Sequence, residues 1–224
     1  MDMAETLARH YDAFVFDLDG TLIDTAGEIL SIIRHVAEEG GVFCLPLDKT
    51  FIGPPLEEIF RNALPRTSPE LRDGLIRKYK LLYAESEHVR SRVFRGPQRF
   101  LKMLKERSVP AFIATNKLAN VTMSLLERKG LRGFFHEVVC RDSFPGVKLS
   151  KPQMLQILVE KHGLIPGRTL MAGDSHMDLN GARQCGMATA AALYGYGNPQ
   201  ALLDCDPDIA IDDEDWTCIR FIHS

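Results

Sequence analysis

Short apolar runs recur along the chain at residues 13–17, 110–115, 137–140, 169–173, 188–192 and 209–211. Each is too short for a stable helix and apolar enough to predict a buried strand. Between most of them the apolar residues fall at helical spacing, over residues 98–107, 119–129, 152–162 and 177–185. Strand–helix alternation with short connections predicts a parallel sheet covered on both faces. Gly130, Gly163 and Gly186 each follow one of these helical stretches, where a left-handed C-terminal cap is expected.

Residues 25–94 break this rhythm. No convincing strand is found there, but three helical stretches are, at 26–39, 55–64 and 69 to about 87. Ser68 before Pro69 is a good helix start, a side-chain cap followed by proline at the first helical position. Some 70 helical residues between the first strand and the next strand–helix unit predict a separate cap over the sheet's edge, with Phe94-Arg95-Gly96-Pro97 marking the return. The chain contains no internal repeat or low-complexity tract.

Polar residues of one kind collect where the predicted strands end. Asp17 and Asp19 close the first run in Asp17-Leu18-Asp19-Gly20-Thr21, Thr115-Asn116 follow the second, Lys151-Pro152 open a helix, and Gly173-Asp174-Ser175-His176-Met177-Asp178 follow the fourth. Open α/β sheets bind ligands outside the carboxyl ends of their strands. Two carboxylates there can share a hard divalent cation, or divide the roles of nucleophile and proton shuttle. Each motif also has an ordinary reading: an Asp-Gly turn, a Thr-Asn turn or helix start, a solvated lysine of the kind expected at Lys148, and a capping role for Asp174 or Ser175. Asp174 at a strand end and Asp178 one turn into the next helix can face one point, an oxygen-rich site suited to Mg²⁺. His176, beside them, reads as a surface helix residue rather than a ligand.

Composition narrows the partners. The 224 residues are 45% hydrophobic and 25% charged with a net charge of −3, ordinary globular values that give no electrostatic case for nucleic acid or an acidic membrane. Arg90, Arg92 and Arg95 read as a solvated junction. Cys44, Cys140, Cys185, Cys205 and Cys218 are odd in number, spread out and without a Cys-x-x-Cys pair, which predicts free thiols in a reducing compartment. No apolar run approaches membrane-span length and residues 1–12 lack a signal-peptide core, so a soluble cytoplasmic protein is expected.

Taken together and in this order, the four motifs resemble those of the haloacid dehalogenase-like hydrolase superfamily, and within it the phosphoglycolate phosphatase-like branch, over nearly the whole chain. Residues 51–56 (Phe-Ile-Gly-Pro-Pro-Leu) and 193–197 (Leu-Tyr-Gly-Tyr-Gly) are similar to loops of that branch. The Pro-Gln stretch after Lys151, in Lys151-Pro152-Gln153-Met154, departs from the family's usual Lys-Pro-x-Pro. The resemblance implies an α/β fold, with a Rossmann-like core at 1–24 and 95–224 and an inserted all-helical (C1-type) cap at 25–94, moving about hinges near 23–26 and 92–96. It implies Asp17 as the nucleophile that forms an aspartyl-phosphate, and Asp19 as the acid and base. It implies Mg²⁺ held by Asp17, the carbonyl of Asp19, Asp174 and Asp178. Thr115, Asn116 and Lys151, with backbone amides near Leu18 and Gly20, would bind the transferring oxygens. Dehalogenases and phosphonate hydrolases of the superfamily lack an acid two residues after the nucleophile, so Asp19 points to a phosphate ester. A small phosphorylated metabolite is the expected substrate of a monomer or homodimer, with Arg61 and the surroundings of Gly53 candidates to face its leaving group. A phosphomutase, a pyrophosphatase and a catalytically silent regulatory protein are the competing readings.

Overall fold

The first strand, β1 (Ala13–Phe16), is buried on both sides. Alternation along a strand sends successive side chains to opposite faces. Phe14 and Phe16 accordingly enter a core with Phe100, Leu125 and Ile211, whereas Ala13 and Val15 enter another with Phe112, Leu155 and Met171. A strand covered on both faces has no polar side to show, which is why it reads as an unbroken apolar run.

The computed structural model describes residues 11–212, 214, 216 and 219–221. The expectations for residues 1–10 and for Cys218 therefore lie outside the described residues, while Cys44, Cys140, Cys185 and Cys205 are free thiols. After β1 come β2 (Ile23–Asp24), α1 (Ala26–Glu39), α2 (Leu56–Ala63), α3 (Pro69–Glu85), β3 (Arg92–Val93), α4 (Arg95–Glu106), β4 (Ala111–Thr115) and α5 (Ala119–Arg128). The chain continues through β5 (Glu137–Cys140), α6 (Lys151–His162), β6 (Thr169–Gly173), α7 (His176–Gln184), β7 (Ala188–Ala192), α8 (Pro199–Leu203), β8 (Ile209–Ile211) and β9 (Ile219–Phe221).

The main sheet runs β5-β4-β1-β6-β7-β8-β9. Its first six strands are parallel, with Phe14 opposite Ala111 on one side and Leu170 on the other; β9 joins β8 antiparallel. In chain order the parallel strands run 3-2-1-4-5-6, the doubly wound order whose direction reverses at the first strand. The ligand crevice of such a sheet lies at the carboxyl end of β1, where Asp17 follows Phe16. Among the described residues no helix is long and apolar enough to cross a membrane.

Residues 26–85 supply α1, α2 and α3, which pack Ile29, Ile33, Phe60, Tyr79 and Tyr83 into a core of their own, closed by Val121 and Tyr196 from the sheet side. Ser68 accepts the Leu71 amide at 3.3 Å ahead of Pro69, as expected. The expectation of no strand in 25–94 is corrected: β3 pairs antiparallel with β2, Ile23 opposite Val93. A two-residue ribbon is too short to carry a period of two, so nothing in the pattern could announce it. Helix α4 starts at Arg95, three residues before the expected 98. Gly96 and Pro97 read as breakers, but the first-turn amides have no intrahelical partner anyway, so a proline there does no harm. The three cap glycines behave as expected, with φ of +66° at Gly130, +60° at Gly163 and +71° at Gly186.

At the end of this helical segment lies His88, buried against the Tyr83 ring at 4.9 Å. Neither ring nitrogen has a hydrogen-bond partner among the described residues. Burial first, then the charge of Lys117, holds its imidazole below the usual value, with Glu28 pulling the other way. An unfolded chain therefore takes up this proton before the folded one does. The contribution of His88 is complete above the unfolded histidine pKa of about 6.5 and is lost as pH falls through the lower folded value. His88→Phe, which keeps a ring against Tyr83, should flatten the fall in stability below that pH; denaturant unfolding at pH 7.5 and pH 5 measures it, and an unaltered acid slope would contradict it.

Candidate active site

Asp17 is set by the strand before it: its amide donates to Ala172 O at 2.9 Å, extending the β1–β6 ladder by one bond. Its Oδ1 accepts from the buried Lys151 Nζ at 2.8 Å. That ammonium also donates to Ala114 O at 2.6 Å and pairs with Asp178 Oδ1 at 2.7 Å. Lys151 occupies the first turn of α6, started by Ser150 in a capping box with Gln153. The proline after Lys151 sits where helices accept one.

Asp174 follows β6 and is enclosed by glycines. Its Oδ2 accepts the Tyr196 amide at 2.7 Å and its Oδ1 the Thr21 hydroxyl at 3.1 Å. A β-carbon on Gly20 would stand 2.1 Å from Asp174 Oδ2, and one on Gly195 2.3 Å from Asp174 Cβ. Gly20 also has φ +83°, a conformation that side chains rarely adopt. The glycines of both loops are thus the condition for bringing this carboxylate in.

Asp178 serves two purposes, and the capping expected of Asp174 or Ser175 is shared by Ser175 and Asp178. The Asp178 Oδ2 accepts from the Ser175 amide at 3.1 Å and hydroxyl at 2.6 Å, the capping box that starts α7. Its Oδ1 faces Lys151. Oxygens of Asp17, Asp174 and Asp178 all lie within 4.8 Å of one another, and all three residues are buried. Burial pushes the Asp17 carboxyl up to about 7 against the pull of Lys151, with Asp178 adding to the rise. Burial, then Asp17 and Asp178, holds Asp174 well above the usual carboxylate range. Lys151 stays protonated, because the two acids outweigh the burial that disfavours an ammonium.

Three acids against one ammonium would leave two negative charges in a dry site if all three ionised. Such an excess is costly unless compensated. The donor set is all oxygen, as a small hard divalent cation requires. The residues present therefore fit Mg²⁺.

Asp19 and Thr115 complete the mouth. Asp19 accepts from the Thr25 hydroxyl at 2.7 Å, and both its oxygens accept from Lys117 Nζ, at 3.1 and 3.0 Å. Thr115, at the end of β4, is buried and accepts the Lys117 amide at 3.2 Å. Asp17, Asp19, Thr115, Asn116 and Lys117 share a cavity of about 320 Å³, closed from the other side by Ile29, Tyr79 and Gly53.

Two expected anion binders have other partners. Asn116 donates from Nδ2 to Gly53 O at 3.3 Å, across to the helical segment. The Gly20 amide donates to Ile23 O at 2.9 Å, so Gly20 serves the site by its missing side chain. Arg61 is exposed, pairs with Glu58 at 3.9 Å and lies outside the cavity lining. Lys148 is exposed as expected, but it pairs with Glu57 at 2.9 Å and so reaches the helical segment. His176 is exposed.

Sequence reasoning missed Lys117 and Tyr196 as site residues. Lys117 could have been singled out as the cation next to Thr115-Asn116 at a strand end. The Tyr196 hydroxyl accepts the Thr25 and Ala26 amides at 2.6 and 2.9 Å and donates to Asp24 Oδ1 at 3.0 Å, while its amide holds Asp174. One residue thus ties an acid of the site to the start of α1, and only the fold reveals that link.

The comparisons with known proteins agree with this geometry. A curated phosphoglycolate phosphatase from Photobacterium profundum is 30% identical over 206 residues, covering 88% of this chain and 90% of that protein. One from Vibrio cholerae is 28% identical over 207 residues, covering 88% and 91%. A solved haloacid dehalogenase-like hydrolase from Streptococcus pneumoniae superposes with a TM-score of 0.81 at 26% identity, over 92% of this chain and 96% of that one. The profile of the haloacid dehalogenase-like hydrolases matches residues 14–192, from within β1 to the end of β7. The chain belongs to the haloacid dehalogenase-like hydrolase family.

Proposed function

We propose that the protein is a Mg²⁺-dependent phosphatase that hydrolyses a small phosphomonoester through an aspartyl-phosphate on Asp17. The observation that carries this reading is that Asp17, Asp19 and Thr115 line one crevice at the carboxyl ends of β1 and β4, while Lys151 and Asp174 meet Asp17 from behind it. Its curated relatives are named phosphoglycolate phosphatases, and the cavity of about 320 Å³ is at the small end of ligand sites.

In this reading a carboxylate oxygen of Asp17 bonds to phosphorus as the ester oxygen leaves. Asp19 gives that oxygen a proton, then takes one from the water that cleaves the phosphoenzyme, returning phosphate and free Asp17. Asp17, Asp174, Asp178 and the Asp19 carbonyl would hold Mg²⁺, which when bound neutralises charge on the transferring phosphoryl oxygens. Lys151 keeps Asp17 in place and offsets its repulsion of an anionic substrate. Thr115 and the Leu18 amide donate to the phosphoryl oxygens. Residues 25–94 act as a cap over the core formed by 1–24 and 95–224. In the present conformation Asn116–Gly53, Lys148–Glu57 and Lys49–Gly195 (2.8 Å) join the two, and closure over the crevice excludes water.

A panel of phosphorylated metabolites assayed with Mg²⁺ tests the proposal. Release of inorganic phosphate that stops on chelation is expected. Failure to hydrolyse any of them, or phosphoryl return to a sugar phosphate in place of release, would overturn it.

A further inference from the structure

Lys117 is the one cation bonded to Asp19 among the described residues, and it has nowhere else to go. Its side chain is 7% exposed. Its ammonium lies over the ring of the buried Tyr83 at 4.4 Å and holds both Asp19 oxygens. If Asp19 turns to a leaving-group oxygen, Lys117 loses its counter-charge in a site screened from water, a costly state for a buried ammonium. The other carboxylates lining the cavity, Asp17, Glu57 and Asp142, already have partners in Lys151, Lys148 and the Ala119 amide. The cavity does contain further cationic groups, Lys80, Arg141 and Lys148, and the Arg141 Nε is buried without a hydrogen-bond partner among the described residues. Its remaining wall is mostly apolar, with Ile29, Ile52 and Tyr79.

We propose that Lys117 is a specificity-determining and positioning residue: it takes up a second anionic group, a carboxylate on the leaving part of the substrate, and by that exchange releases Asp19 for proton transfer. The inference rests on the phosphatase reading and deepens it. Because Lys117 touches the very side chain that must reach the leaving oxygen, the second anion sits only a carbon or two from that oxygen. An ester with a neutral leaving group gives Lys117 no replacement partner, so Asp19 stays held.

Phosphoglycolate and ethyl phosphate, alike in size but differing in that carboxylate, separate the outcomes. The wild type should favour phosphoglycolate in kcat/KM by roughly 100-fold or more, since a site built for a polar group discriminates strongly against its absence. Lys117→Met should cut that ratio at least about tenfold, chiefly through a raised KM for phosphoglycolate, and Lys117→Arg should restore part of it. Lys117→Gln replaces Met if the Met variant lacks a cooperative thermal transition. An unchanged ratio in an uncharged variant, or a wild type that hydrolyses phosphomonoesters without preferring the carboxylate, would overturn the role of Lys117 alone. A wild type that hydrolyses no phosphomonoester would overturn the phosphatase reading and this inference with it.

Discussion

Asp17→Asn should lower kcat for a phosphomonoester by about 10⁴-fold or more, the scale on which losing a nucleophile acts, without costing stability. Asparagine has nearly the volume of aspartate and still offers Lys151 an acceptor where Oδ1 stands at 2.8 Å. What it removes is one of three buried acids within 4.8 Å of one another. The Asp17 carboxyl is raised to about 7 by burial, so near pH 8 the metal-free wild type bears an ionised group that its surroundings disfavour. Deleting that charge should leave the melting temperature of metal-free protein unchanged or higher at pH 8. Phosphate-release assays beside thermal unfolding make the two readouts independent. Activity within tenfold of wild type would show that Asp17 is not the nucleophile, and lost activity with a collapsed thermal transition would show a structural role instead.

The parts of the fold that were legible in the sequence are those that physics forces to be uniform. A strand buried on both faces, such as Ala13–Phe16 or Leu170–Ala172, has only apolar positions, and the pattern shows it directly. Helices α1 and α3 each present one apolar stripe to a single core, so they were legible too. The ribbon of Ile23–Asp24 and Arg92–Val93 was not, because its existence depends on two chain segments meeting rather than on either one's pattern. Strand β9 adds to β8 at the edge of the sheet, and three residues there carry no periodic signal.

The acids and Lys151 were legible for another reason: an open parallel sheet brings its strand ends to one edge, so chemistry placed after successive apolar runs converges. Partner choice was not. Lys151 reaches Asp17 across 134 positions and Lys117 reaches Asp19 across 98, and no local spacing distinguishes such a lysine from a solvated one. Asp178 shows the opposite limit. The sequence offered it only a site role and gave capping to Asp174 or Ser175, yet the two oxygens of this one carboxylate perform both.

Lys151 carries the second large effect. In protein freed of divalent cations, Lys151→Met should cost about 3–5 kcal/mol at pH 8, the cost of stranding buried charges by removing their partner, or roughly 6–20 °C in melting temperature for a chain of this size. The cost should be much smaller at pH 5. Folded Asp17 is raised to about 7 and folded Asp174 well above the ordinary range, whereas unfolded aspartates titrate near 4. Between those limits the native state binds more protons than the unfolded one, so stability falls as pH rises. At pH 5 folded Asp17 is largely protonated and loses little when the ammonium goes. At pH 8 Asp17 is largely ionised and Lys151 is its counter-charge. Removing Lys151 lets the folded acids rise further and steepens that fall. Mg²⁺, added in excess, should recover much of the loss at pH 8 and little of it at pH 5, where protons occupy the same oxygens. Circular-dichroism melts at the two pH values, with and without Mg²⁺, supply the four numbers. Equal cost at both pH values would mean that Lys151 acts through packing alone, and that the excess negative charge of Asp17, Asp174 and Asp178 is compensated by some other group.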